Sequence, residues 1–291
     1  MKNLYALLFI SMLVCNVCVA EVSRKEKKAL VGLYNSTNGK HWVKKWDLKA
    51  PVSQWYGVKV VDNKVVEVNL FRNNLMGSIP GDISGLENLT VLNLAFNSLT
   101  GELPEDIAKL SKLRVLKLEM NRIKGNIPSG IGNLISLEEL SVFNNFLSGT
   151  IPESIGNIKN LKILNLSSNA LKGSIPNSLG ELTQLETLGL FENTLEGAIP
   201  GEMGNLKNLK ELVLANNSLN GDIPEEFGQL ASLEVFQIQN NKFDSFKNLQ
   251  MLETREFLVF DYDKDDRKIE FKEINFEKTR MADTKFEDID E

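Results

Sequence analysis

The sequence predicts an α/β repeat solenoid, a fold in which short parallel strands stack coil upon coil. An asparagine recurs every 24 residues, eight times without a slip, from Asn73 to Asn241. Seven glycines and seven prolines keep the same step. Within each unit, leucines alternate with variable residues, which is the period of a strand buried on one face. We therefore expect an array of eight 24-residue repeats over residues 65–249.

Composition narrows the class of function. The chain has 291 residues, 42% of them hydrophobic, and a formal charge of −6, which argues against nucleic acid as a partner because nucleic-acid binders need a basic face. Its two cysteines, Cys15 and Cys18, lie in the predicted signal peptide described below, which leaves His41 alone in the mature chain where a zinc site needs three or four such ligands. We expect no metal, no cofactor and no catalytic residues, and hence a protein that is not an enzyme.

Residues 1–20 have the pattern of a secretory signal peptide. Lys2 supplies the positive charge, residues 4–19 are mostly apolar, and small residues end at Ala20. The apolar run is short for a membrane span, and the rest of the sequence contains no run of about 20 apolar residues. We expect cleavage before Glu21 and a secreted, periplasmic or cell-surface protein without a transmembrane segment. An uncleaved anchor and a lipidated cysteine are the alternatives.

Residues 21–64 are predicted to form an N-terminal cap, because a terminal coil would otherwise expose its leucine layer. Apolar residues at helical spacing predict a helix over residues 22–34, ended by a polar stretch up to Gly39. Valines around Asp62 and Asn63 predict a hairpin that leads into the first repeat. The cap contains all the tryptophans of the chain: Trp42, Trp46 and Trp55. They form either a buried plug over the first coil, which we favour, or an exposed platform for sugars.

In the repeats, prolines such as Pro152 cannot lie inside a central sheet, so they place the return segment of each coil on the far side. The asparagines end the strands, where the chain turns and backbone groups lack partners. We expect them to form a column that hydrogen-bonds those groups, and we assign none of them to a binding site.

The repeats resemble the leucine-rich-repeat family in its plant-type form, L-x-x-L-x-L-x-x-N-x-L-x-G-x-I-P, as in exported bacterial proteins and plant receptor ectodomains. This resemblance implies a right-handed solenoid with a parallel concave sheet, N- and C-terminal caps, and binding of proteins, peptides or glycans. Plant ectodomains usually hold the cap with a cysteine pair, one member of which follows a W-x-G-V element. Here that element is Trp55 to Val58 and Val60 stands at the cysteine position, which favours bacterial exported relatives.

Residues 250–291 are predicted to form an acidic C-terminal cap and tail. Residues 242–291 hold 15 acidic and 10 basic side chains, a net charge of −5. The stretch from Asp261 resembles a calcium-binding EF-hand loop, but Asp266 replaces the required glycine and Lys272 the required glutamate, so we expect no calcium. Residues 257–260 have the composition of one last strand.

The binding face is predicted from the positions between and just after the strand leucines, which point to the concave side. Folding does not require apolar residues there, yet five of these positions hold phenylalanine or methionine. Exposed aromatics bordered by polar groups are typical of interaction sites. The candidate ligand-binding residues are Phe71, Arg72, Phe96, Lys117, Glu119, Met120, Phe143, Asn144, Phe191 and Glu192. Alternatively, the apolar members only cover neighbouring backbone.

The sequence thus favours an exported, non-enzymatic protein that recognises a protein, peptide or glycan on its concave face. Resemblance to plant inhibitors of wall enzymes leaves an inhibitor of a secreted hydrolase open, and a receptor-like or adhesion ectodomain is a further alternative. An enzyme that uses concave carboxylates is disfavoured. It would show a deep pocket containing a carboxylate of raised pKa, whereas a binding protein would show a broad, shallow face.

Overall fold

The computed structural model describes residues 21–252 and 257–263. The signal peptide predicted at residues 1–20 lies outside the described residues, as does most of the acidic segment 250–291. The EF-hand-like loop is described only as far as Asp263.

The N-terminal cap begins with helix α1, Arg24–Ser36, shifted by two residues from its predicted bounds. Ser23 caps the helix through a capping box with Glu26, in which each side chain accepts from the other's backbone N–H. Glu26 is only 4% exposed, and its Oε1 also accepts a hydrogen bond from the backbone of Val65. One carboxylate therefore both starts the helix and joins it to the first coil.

The three tryptophans of the cap are buried, with 1%, 4% and 3% exposure for Trp42, Trp46 and Trp55. The Trp46 ring lies 4.8 Å from each of the other two ring centroids. Each indole N–H donates to a backbone carbonyl, for example Trp42 to Thr37 at 3.0 Å. The plug expected from the sequence is confirmed, and an exposed sugar platform built from these rings is wrong.

A hairpin connects the cap to the repeats, as predicted. Strand β1, Val58–Val61, pairs in antiparallel fashion with β2, Lys64–Asn69. The turn residues Asp62 and Asn63 have φ of 47° and 61°, the left-handed conformation that a two-residue type I′ turn requires. Strand β2 then becomes the first parallel member of the concave sheet.

The concave sheet contains ten strands, and all pairs after the hairpin are parallel and in register at 24-residue spacing, with Leu92 beside Leu116. Its further members are β4 Val91–Asn93, β6 Val115–Lys117, β8 Glu139–Ser141, β10 Ile163–Asn165, β12 Thr187–Gly189, β14 Glu211–Val213, β16 Val235–Gln237 and β18 Val259–Asp261. Strand β18 overlaps the last strand predicted at residues 257–260 but begins two residues later.

A second set of strands follows each asparagine, which the sequence did not predict. Two short strands pair first: β3 Met76–Gly77 and β5 Ser98–Leu99. Six more form a parallel sheet: β7 Lys124–Asn126, β9 Phe146–Gly149, β11 Ala170–Gly173, β13 Thr194–Gly197, β15 Ser218–Asp222 and β17 Lys242–Ser245. The prolines then open 3-10 turns of five residues, such as Glu153–Asn157 after Pro152, which return the chain to the next concave strand.

The leucines form one continuous core between the two sheets, and most of them have no exposed surface. The asparagine column is confirmed as structural. In Asn145, Oδ1 accepts from the Ile123 N–H of the preceding coil at 2.9 Å. Its Nδ2 donates to the carbonyls of Leu118 and Val142 at 3.0 and 3.1 Å. The same contacts recur from Asn97 onward and bind each coil to the one before it.

Candidate functional site

The ten candidate residues lie at the outward positions of the concave strands or just after the strands end, where the alternation with the leucines puts them. At the N-terminal end, the rings of Phe71 and Phe96 meet at a centroid distance of 5.1 Å. Phe71 is 44% exposed and Phe96 is half-buried. Further along the face, the Asn144 side-chain amide donates a hydrogen bond to the Met120 sulfur at 2.9 Å. Phe143, the residue before Asn144, is half-buried.

The C-terminal part of the face carries a separate apolar cluster. Phe191 packs against Val213, Val235 and Val259, whose exposures are only 4%, 5% and 1%. Val235 and Val259 are the first residues of their strands, one position before the core phenylalanine of each strand, and they extend an outward column that sequence reasoning missed. Simple alternation would have found it, because that position lies on the same face as the residue between the leucines.

Charged side chains meet at the centre of the face. Lys117 Nζ lies 2.8 Å from Glu139 Oε1, and Glu119 lies two residues beyond the lysine, just after strand β6 ends. Burial raises the pKa of the Glu119 carboxyl, and a hydrogen bond with Ser141 only partly offsets that effect. Glu119 Oε2 is buried and has no hydrogen-bond partner among the described residues. Burial therefore shifts the protonation balance of this carboxyl toward its neutral form. Farther along, Glu192 accepts from the Ser168 hydroxyl at 2.8 Å.

One column of the face has a left-handed backbone. Its φ values lie between 48° and 58° at every coil from the first to the eighth: Arg72, Phe96, Met120, Asn144, Ser168, Glu192, Asn216 and Asn240. Asparagine tolerates this conformation, whereas bulkier side chains enter it at a cost of about 1–2 kcal/mol. The asparagines in this column were a signal of the turn, which the sequence analysis did not use.

Two open clefts lie away from these carboxylates. One of 460 Å³ adjoins the candidate residue Phe71 at the N-terminal end of the face, and its lining includes Tyr56, Lys59 and Glu67. Another of 550 Å³ lies on the far side of the solenoid, between the turns at Glu105 and Ser154. Glu119, the carboxylate with the raised pKa, lines neither of these two clefts.

Within residues 21–252 and 257–263, no helix has both the length and the apolar character needed to cross a membrane. In the same ranges, no three histidine, cysteine, aspartate or glutamate side chains converge in a way that would hold a metal ion.

Family models match most of the repeat array: residues 63–123 match a leucine rich repeat model, and residues 145–259 match a leucine-rich repeat region model. No curated protein sequence matches the chain.

Among solved structures, the chain is similar to the ectodomain of the Arabidopsis thaliana receptor kinase GASSHO1/SCHENGEN3 in complex with CASPARIAN STRIP INTEGRITY FACTOR 2, with 32% identity and a TM-score of 0.74 over 81% of this chain and 30% of that one. The Arabidopsis receptor kinase HAESA, in complex with the peptide hormone IDA and the co-receptor SERK1, gives 30% identity and a TM-score of 0.71 over 83% and 41%. A Leptospira interrogans leucine-rich-repeat protein gives 33% and 0.55 over 66% and 47%. The chain thus spans about a third of the length of the plant ectodomains.

Proposed function

The chain belongs to the leucine-rich-repeat family, and from this premise we propose that it is an exported, non-enzymatic binding protein that recognises a protein or peptide on its concave face. The observation that carries the proposal is the aromatic surface formed by the exposed Phe71 ring and the half-buried Phe96 ring. The fold buries its leucines almost completely in the core, whereas these rings lie outside it on a surface that folding does not require to be apolar.

The related ectodomains support a peptide or protein as the partner. The HAESA structure holds a peptide hormone and a co-receptor, and this chain is similar to less than half of that ectodomain. A receptor-like ectodomain is therefore the alternative within the same class. For a glycan ligand, the cap tryptophans offer no platform because they are buried.

An enzyme is the competing class, and Glu119 is the residue that would favour it, because its pKa is raised by burial. A catalyst also needs a cavity that encloses a substrate beside that group. The clefts described above lie at the N-terminal end of the face and on the far side of the solenoid. This arrangement supports recognition by a broad surface.

Capture of a partner tests the proposal. Residues 21–291 are immobilised, the partner is isolated from the secreted fraction of the native host, and its affinity is measured for two variants. Phe143→Ala should lower affinity about 30-fold, the loss of an interface anchor, with little change in melting temperature. Ile175→Ala, which empties a position that is 2% exposed, should lower the melting temperature and leave affinity unchanged. Unchanged affinity with a large loss of stability in Phe143→Ala would return that ring to the core and refute the proposal.

Export is tested separately by N-terminal sequencing of the natively produced protein. We expect it to begin at Glu21. Recovery of the intact chain, beginning at Met1 in the cytoplasm, would contradict export.

A further inference from the structure

We infer that the N-terminal end of the concave face binds an extended peptide segment that carries an acidic side chain beside an aromatic or large aliphatic one, which rests on the proposed function and specifies the partner. The site, called here the cap-proximal patch, consists of Tyr56, Phe71 and Phe96 with the basic residues Lys44 and Arg72. An apolar side chain of the peptide enters the cleft beside Phe71, and an acidic one meets the basic border.

The apolar half of the patch is formed by three rings from the cap hairpin and the first two coils. Tyr56 is 47% exposed and Phe71 is 44% exposed, and both line the 460 Å³ cleft. The Phe71 ring also packs on Phe96 at 5.1 Å, so its position is fixed before any ligand arrives. Rigid, partly exposed aromatics lose little conformational entropy on binding, which makes them effective anchors.

The backbone provides an independent reason to assign this patch to function. Arg72 and Phe96 adopt φ of 48° and 55°, and their equivalents in later coils include Asn144 and Asn216. The fold therefore accepts asparagine at this turn, and asparagine is the less strained residue there. Bulky side chains held in an unfavourable backbone conformation are typical of binding sites.

The basic border comes from the cap segment 40–49, which holds four lysines and one acidic residue. Lys44 donates its N–H to Asn73 Oδ1 at 2.6 Å, and the Asn73 amide donates to the Lys44 carbonyl at 3.2 Å. These bonds hold the segment beside Arg72, the neighbour of Asn73 in the chain. Lys44 and Arg72 are exposed, and neither takes part in an ion pair within the described residues.

The positive charge of this border is local, since the chain as a whole carries a net charge of −6. Unlike Lys44 and Arg72, the helix α1 lysines Lys25 and Lys28 form ion pairs, with Glu87 and Asp82 respectively. A border without acidic partners in a negatively charged molecule fits an acidic group on the ligand. In an extended peptide, side chains two residues apart lie about 6.5–7 Å apart on one side, a spacing that reaches from a ring to an adjacent charge.

The test uses a displayed library of random dodecapeptides, selected on residues 21–291. Enriched peptides should carry aspartate or glutamate within two positions of an aromatic residue or leucine. Phe96→Asn should lower their affinity about 30-fold, while the melting temperature stays unchanged or rises because asparagine suits the turn. Selection on Arg72→Glu should enrich basic residues in place of acidic ones. Two matched controls should leave affinity unchanged: Phe146→Asn, whose ring is 62% exposed on β9, and Lys28→Glu on α1.

The outcomes separate this site from the proposed function. Enriched peptides that lack the acidic–apolar pair, or that bind Phe96→Asn normally but are lost in Phe143→Ala, would overturn the patch and leave concave-face binding in place. A lower melting temperature in Phe96→Asn would make its ring structural and overturn the patch. If the wild-type protein retained no peptide, both the cap-proximal patch and the proposed peptide binding on the concave face would be overturned. If the wild type instead bound phosphatidylglycerol vesicles, and Phe96→Asn bound them equally, the patch would be a lipid contact and the peptide assignment wrong.

Discussion

Replacing Asn145 by alanine should lower the free energy of unfolding by about 3–4 kcal/mol, more than the loss of a small polar side chain suggests. The side chain is 5% exposed and makes one accepted and at least two donated hydrogen bonds to backbone groups. Each is worth about 1 kcal/mol net, and the Ile123 N–H is left buried without its partner. Water cannot replace the lost contacts, because the amide lies between two coils.

Asn73 provides the matched control, because it has the same position in the first coil but different partners. Both of its amide contacts go to the backbone of Lys44, at 2.6 and 3.2 Å, and that segment is exposed. Water therefore replaces part of what Asn73→Ala removes, and we expect a loss of about 1–2 kcal/mol. Both side chains are buried, Asn73 at 1% and Asn145 at 5% exposure, so the difference between the two variants reports their partners: an exposed cap segment for Asn73 and the neighbouring coil for Asn145.

The assay is urea denaturation of residues 21–291, followed by far-UV circular dichroism, with the midpoint and slope compared between variants. Equal losses in Asn145→Ala and Asn73→Ala, or a loss below about 1 kcal/mol in Asn145→Ala, would refute the account of the asparagine column. A smaller slope in Asn145→Ala alone would show that the middle coil separates the array into two units, which is the failure expected of a nearest-neighbour chain.

Two further expectations concern the core and the face. Leu164→Ala should leave a cavity and lower the free energy of unfolding by about 2–5 kcal/mol. Lys172→Ala, at an exposed position of β11, should change it by no more than about 0.5 kcal/mol. Similar denaturation midpoints for the two variants would show that the assigned strand register is wrong. Because burial raises the pKa of Glu119 above its ordinary value of 4.5, its contribution to stability is fully present in acid and is lost as the pH rises through the folded pKa. Glu119→Gln should therefore flatten the pH profile of stability and raise stability near pH 7, and parallel profiles of the two proteins would contradict this.

The fold could be predicted in detail because the same sequence pattern is repeated eight times. The leucine alternation predicted the buried face of each strand, and the asparagine column predicted where the strands end. The Asp62–Asn63 turn predicted the hairpin that connects the cap to the repeats. The second sheet was missed for a physical reason. Its strands have two to five residues, and most of them contain the repeat glycine, such as Gly149 in β9, a residue that strand propensity disfavours. Pairing between neighbouring coils stabilises them, and a single unit does not show that pairing.

The site was predictable only in part. Alternation places Lys117 and Phe71 outward, but the left-handed backbone at Phe96 is indicated only by asparagines at the equivalent positions of other coils, such as Asn144, and not by Phe96 itself. The approach of Lys44 to Asn73 joins residues 29 positions apart in different elements, so no local pattern contains it. The raised pKa of Glu119 depends on how neighbouring coils cover it, which is also a property of the stacked array.

The asparagine column and the parallel strands repeat with the same 24-residue spacing, so the repeat array can be lengthened or shortened only by whole repeats. Removing residues 146–169, a whole period of 24, would join equivalent turns and restore the repeated backbone and asparagine contacts between the new neighbours. Removing one residue fewer would shift the alternation of the next strand and turn its leucines outward. The concave face can therefore grow or shrink only in steps of about 4.8 Å, the width of one strand. The length of the binding surface is therefore set by a whole number of coils, and changing it requires the insertion or removal of a complete 24-residue unit.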